Sequence, residues 1–92
     1  MIKNIKHKGL KLYFQTGKSS GLEAAHLSKL RNILGRLAVC TTPEQMDLPG
    51  LNLHGLKGKL KGFYALKVSG HWRLIFKFDG KDVIDVDYLD YH

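Results

Sequence analysis

In LHGLKGKLKG, residues 53–62, His54, Lys57, Lys59 and Lys61 are spaced among three glycines. Lysines on a flexible loop reach phosphate oxygens, and glycine lets a backbone approach a ligand closely. The spacing is not that of a Walker loop, which needs GxxxxGK followed by Ser or Thr. Further on, HWRLIF sets Arg73 in mid-strand, where a guanidinium presents a rigid fork that matches phosphate. The chain ends in Asp90-Tyr91-His92. There an imidazole can take or give a proton near neutral pH, and a phenol ring can stack on a base. The carboxylate can orient an imidazole or the Lys57 ammonium. Each group also has a plainer use: a solvated basic turn, a frayed tail, or a cross-strand Arg73–Asp87 ion pair contributing about 0–1 kcal/mol. Residue types alone leave both readings open.

Other reactive residues carry less. His7 and His26 sit within helix- or strand-forming stretches and read as surface groups, and His71 lies in a turn. No HExxH pair and no GxSxG elbow occurs. Cys40, the one cysteine, has neither metal-ligand spacing nor a local reason to be nucleophilic. No metal or cofactor is expected.

A small frame must hold these groups. With 92 residues, 43% hydrophobic and 25% charged, the chain suits one folded domain, residues 1–92, with a single modest core. Its net charge of +7 suits a polyanion such as nucleic acid, or an acidic protein partner. The excess lies in residues 1–36, where eight Lys/Arg face Glu23 alone; residues 37–92 balance seven against seven. A broad basic surface is therefore expected beside a neutral half that carries the specific groups. A lone cysteine excludes an internal disulfide and fits a reducing compartment. The opening MIKNIKHKGLKLYF lacks the apolar run of a signal peptide, and no stretch is long enough to cross a bilayer. A cytoplasmic location is the expectation.

MIKNIKH reads as a short first strand, and Lys8 to about Thr16 as a helix ended by Gly17. Leu27, Leu30, Ile33, Leu34 and Leu37 recur at helical spacing, with Ser19 or Ser20 as the cap, and TTPEQMDLPG breaks that helix. From 64 to 88 the period becomes two, with even positions mostly apolar and odd ones mostly polar. That pattern predicts an antiparallel meander with one face on the core and one open. Keeping even opposite even favours three-residue turns at 69–71 and 79–81, although a two-residue turn plus a bulge would also serve at the first. Phe76 would then face Ile84, Leu74 would face Val86, and Arg73 would lie between Lys67 and Asp87. Two helices must cover the other face, giving an α+β sandwich.

LHGLKG, then WRLIFKF, then a final DYH, after the opening MIKNIKHKGLKLYF, resemble the HigB toxins of bacterial toxin–antitoxin modules, in the RelE/ParE superfamily. The likeness spans nearly the whole chain and is strongest over 53–92. It implies a RelE/ParE-like α+β fold: a small, mainly antiparallel sheet with two N-terminal helices on one face. It also implies a ribosome-dependent endoribonuclease that cuts mRNA in the A site, and a HigA-like helix–turn–helix antitoxin as partner. Family site positions fall on His54, Lys57, Arg73, Asp90, Tyr91 and His92. RNA carries its own nucleophile, the 2′-hydroxyl, so a base, an acid and cations suffice. Lys57 and Arg73 would steady the phosphate, and His54 and His92 would exchange protons, in either order. Lys3, Lys6, Lys8, Lys59 and Lys61 are expected to meet mRNA or ribosomal RNA. Members often carry a tryptophan just after the loop glycine, where this chain has Phe63-Tyr64. Two rivals share the fold: a ParE-like gyrase poison, and an RNA-binding homologue without catalysis.

Overall fold

A computed structural model describes residues 1–91. The first helix, α1, spans Lys8–Thr16 as expected. His7 begins it by accepting the Leu10 amide on Nδ1 at 3.0 Å. Gly17 ends it in the left-handed region (φ +81°), where its N–H reaches the Tyr13 carbonyl. The second helix, α2, spans Leu27–Leu37 and follows a 3-10 turn at Ala24–His26. Neither Ser19 nor Ser20 caps it; Ser19 instead accepts the Leu22 amide on its backbone carbonyl at 3.0 Å. The expected start is overridden by a tertiary contact, because His26 is drawn into the core by Tyr88.

Four strands follow: β1 (His54–Gly55), β2 (Tyr64–Ser69), β3 (Trp72–Asp79) and β4 (Asp82–Asp90). They form one antiparallel sheet in sequence order. The opening segment lies beside β4 as a parallel edge, bridging Ile2 to Val83 and Ile5 to Val86, in place of a full strand. Leu10 of α1 and Leu30, Ile33, Leu34 and Leu37 of α2 pack on Leu66, Val68, Leu74, Phe76, Val83, Val86 and Tyr88. Both helices therefore cover one face. Among the described residues no helix is long and apolar enough to cross a membrane.

Parity holds between β2 and β3: Tyr64 faces Phe76, Leu66 faces Leu74 and Lys67 faces Arg73. The turn has two residues, Gly70 and His71, and a register shift between Lys67 and Ser69 restores the match. The second hairpin departs further. Its loop is also two residues, pairing Asp79 with Asp82 and Phe78 with Val83. Val83, with no exposed surface, takes the inward place expected of Ile84, which is half-buried. A bulge then sets Asp85 and Val86 against Phe76, and Asp85 adopts a left-handed backbone (φ +53°). Beyond it Arg73 faces Leu89, while Asp87 faces Ile75. The expected Phe76–Ile84, Leu74–Val86 and Arg73–Asp87 pairings are displaced by the shorter turn and the bulge together, so that Leu74 faces Tyr88 and Arg73 faces Leu89. Asp87 uses its carboxylate on the neighbouring Tyr88 amide, at 2.9 Å.

Candidate active site

Directly opposed residues of a sheet share a side, and alternate residues along a strand do too. The face without helices is therefore a grid. One row runs His54, Ala65, Ile75, Asp87, and the next runs Lys67, Arg73, Leu89. Beyond these, the Tyr91 amide donates to the His71 carbonyl at 2.7 Å, which continues the β3–β4 pairing past Asp90. His54, Arg73 and Tyr91 thus lie on one side of the sheet. Two strand spacings and two residues put the His54 and Arg73 backbones about 12 Å apart, within the combined reach of both side chains and a bound linkage.

Each side chain is held differently. Asn52, with φ +50°, turns the chain into β1, and its carbonyl lies 2.9 Å from His54 Nδ1. A carbonyl can only accept, so Nδ1 carries the proton and Nε2 of the neutral ring is left as the acceptor. Arg73 folds against the hairpin, donating from Nη1 to the carbonyls of Gly70 (2.7 Å) and Trp72 (3.0 Å). Lys57 is exposed just past β1, where Gly58 (φ +68°) opens a 3-10 turn through Leu60.

Asp90 pairs with Trp72, so alternation starts its side chain on the helix side. There its charge adds slightly to the upward push on the Tyr88 phenol, which comes chiefly from burial. His92 lies outside the described residues. Of the basic residues expected to meet RNA, Lys3 and Lys8 are exposed near the β4 edge, and Lys59 and Lys61 are exposed beyond β1. Lys6 reaches over the open face, its Nζ 6.0 Å from the Phe63 ring centre.

Sequence reasoning missed a group behind the terminal strand. His26, read as a surface residue, is 7% exposed, and its Nδ1 lies 2.6 Å from the Tyr88 hydroxyl. Trp72 stacks on Tyr88 at 4.5 Å, and His7, the other expected surface histidine, meets Tyr88 edge-on at 5.3 Å. This packed cluster fixes the strand two residues before Asp90 and three before Tyr91. The even spacing of Trp72 and Tyr88 signalled an inward face, but nothing local marked His26 as their partner.

A two-helix layer on one side and a basic, open sheet on the other describe a small toxin of the RelE type. The family described as the RelE-like toxin of the type II toxin–antitoxin system HigB matches residues 3–92. The chain belongs to this HigB-like family. It is 36% identical over 92 residues to the endoribonuclease HigB of Proteus vulgaris, covering the whole of both chains. A solved structure of a copper-bound mutant toxin from Helicobacter pylori has the same fold, with a TM-score of 0.56 at 22% identity. That match covers 98% of this chain and 94% of the other.

Proposed function

We propose that this toxin is a ribosome-dependent endoribonuclease that cuts mRNA in the A site by attack of a 2′-hydroxyl on its own phosphodiester. The observation that carries the reading is His54 with its Nδ1 proton committed to the Asn52 carbonyl, on the same sheet face as Arg73 and Tyr91. In the neutral ring Nε2 is the base. It takes the 2′-hydroxyl proton as the oxygen bonds to phosphorus. Arg73 and Lys57 steady the negative charge of the five-coordinate phosphorus, and Tyr91 stacks on a base splayed from the message. His92 donates the proton to the 5′-oxygen as the P–O5′ bond breaks. Products are a 2′,3′-cyclic phosphate and a 5′-hydroxyl. Asp90 serves by orienting an imidazole of the site.

The family implies an antitoxin partner, and we assign a HigA-like helix–turn–helix protein to that place and the cytoplasm as the compartment. The test is cleavage of ribosome-bound mRNA carrying a single 2′-deoxy residue at the mapped cut. Loss of cutting at that position, with 2′,3′-cyclic ends on the all-ribo message, is expected. Undiminished cutting of the deoxy message would refute the chemistry. Induction of DNA-damage signalling without new mRNA 5′ ends would favour the gyrase reading instead.

A further inference from the structure

Extending the β2–β3 register one step past Tyr64–Phe76 sets Phe63 opposite Lys77 on the open face. The contact is direct: Lys77 Nζ is 5.0 Å from the Phe63 ring centre. Lys6, arriving from the opening segment past β4, brings its Nζ to 6.0 Å from the same half-buried ring. Two ammonium groups from opposite ends of the chain thus attend one aromatic ring. Asp85 faces both; its carboxyl is held below the ordinary range chiefly by the Asn4 amide, and then by Lys6 and Lys77. Asn4 donates to Asp85 at 2.9 Å and accepts its backbone amide at 3.0 Å, and Lys77 lies 3.7 Å from the same carboxylate. The carboxylate offsets one of the two positive charges, leaving the cluster one positive charge in excess beside an aromatic ring.

The cluster is separate from Arg73. Lys77 lies four residues along β3, a backbone distance of about 14 Å. Between them is the row of Ala65 and Ile75, buried yet outside the main core cluster. The face therefore alternates cation, low apolar row, and cation with a ring.

We propose that Phe63, with Lys6 and Lys77 over its ring, is a second nucleotide subsite: a base of single-stranded RNA stacks on the ring in place of the two ammonium groups, which move off it to the adjoining phosphate. An aromatic platform edged by cations is the chemistry that binds unpaired nucleotides of any sequence. The subsite rests on the RNA-cutting reading for its occupant, but not on the identity of the base and acid.

Binding of the full chain to 2′-O-methyl RNA, which supplies no nucleophile, tests it by fluorescence anisotropy at low salt. A hexanucleotide is compared with a trinucleotide too short to span both ends of the face. The wild type should bind the hexamer more tightly. Phe63→Leu should lose about tenfold on the hexamer, with little change on the trimer, and Phe63→Trp should recover it. Lys6→Gln and Lys77→Gln should each flatten the salt dependence by about 0.7 in log–log slope. Equal affinity of wild type for both lengths, or equal losses on both in the variants, overturns the subsite. The lysine variants decide the matter should Phe63→Leu fail to fold. Unchanged RNA binding with lost binding of a polyglutamate peptide would assign the cluster to an acidic protein, which also overturns it. Cutting that depends on the 2′-hydroxyl while these variants bind as wild type defeats the subsite alone. Subsite-dependent binding with no cutting of ribosome-bound mRNA defeats the enzyme reading alone.

Discussion

Arg73 and Tyr88 show how differently one side chain counts on the two faces of this sheet. Arg73 is half-buried on the open face and braced by the Gly70 and Trp72 carbonyls, so in the proposed mechanism its fork is set before RNA arrives. Arg73→Ala should lower single-turnover cutting on ribosomes by about 100- to 1,000-fold, as loss of a donor to developing charge does elsewhere. Arg73→Lys should recover only part of that, because an ammonium keeps the charge and loses the paired geometry. Tyr88 instead satisfies buried His26. Tyr88→Phe removes the hydroxyl 2.6 Å from Nδ1, and should cost about 1–3 kcal/mol in urea unfolding. A pH signature separates this from simple packing. Burial raises the phenol above its ordinary value, so the unfolded chain ionises first and stability falls as pH climbs past about 10. In Tyr88→Phe that contribution to the alkaline fall should vanish.

The terminal hairpin is the element that decides which residues share the open face. Its bulge depends on Asp85, whose φ of +53° suits Asp, Asn or Gly far better than a branched residue. The Asp85 carboxyl is lowered by the Asn4 hydrogen bond and the lysines, so it stabilises the fold above the unfolded carboxylate pKa and loses that contribution as pH falls below about 4. Asp85→Asn should therefore flatten the acid limb of the stability profile while keeping the bulge. Asp85→Val should shift the register and move Arg73 relative to Tyr91, a change readable as lost cutting in a folded protein. Helix α1 makes the contrasting case. Leu10 is its buried residue, with no exposed surface, and Leu10→Ala should cost about 2–5 kcal/mol with cutting by the folded fraction intact.

The molecule as a whole presents its charge from both edges of one sheet. Lys3 and Lys8 flank β4, Lys59 and Lys61 extend past β1, and Lys6 joins the open face between them. Charge reversal at Lys3 and Lys8 should weaken ribosome binding and flatten its salt dependence, with unfolding unchanged, because these ammonium groups are solvated in the free protein. Much of this layout was legible in advance. Helix α1 and the meander followed from capping residues and periods of 3.6 and two. His54, Lys57 and Arg73 stood out by type and neighbourhood. Phe63 and Lys77 sat on the odd, outward parity as well, yet without Lys6 beside them nothing singled them out.

Side-chain period and turn residues were enough to settle the fold class, the two-faced sheet and the side on which Arg73 lies, because each depends on neighbours a few positions apart. Folding in three dimensions decided the rest. A two-residue turn put Val83 inward in place of Ile84, a one-residue bulge then returned Val86 and Tyr88 to the inward face with new partners, and His26 became a core residue only because Tyr88, 62 positions away, offered its hydroxyl. Registers and buried polar pairs are set by energy balances between distant segments, and no local spacing encodes a partner that arrives from the other end of the chain.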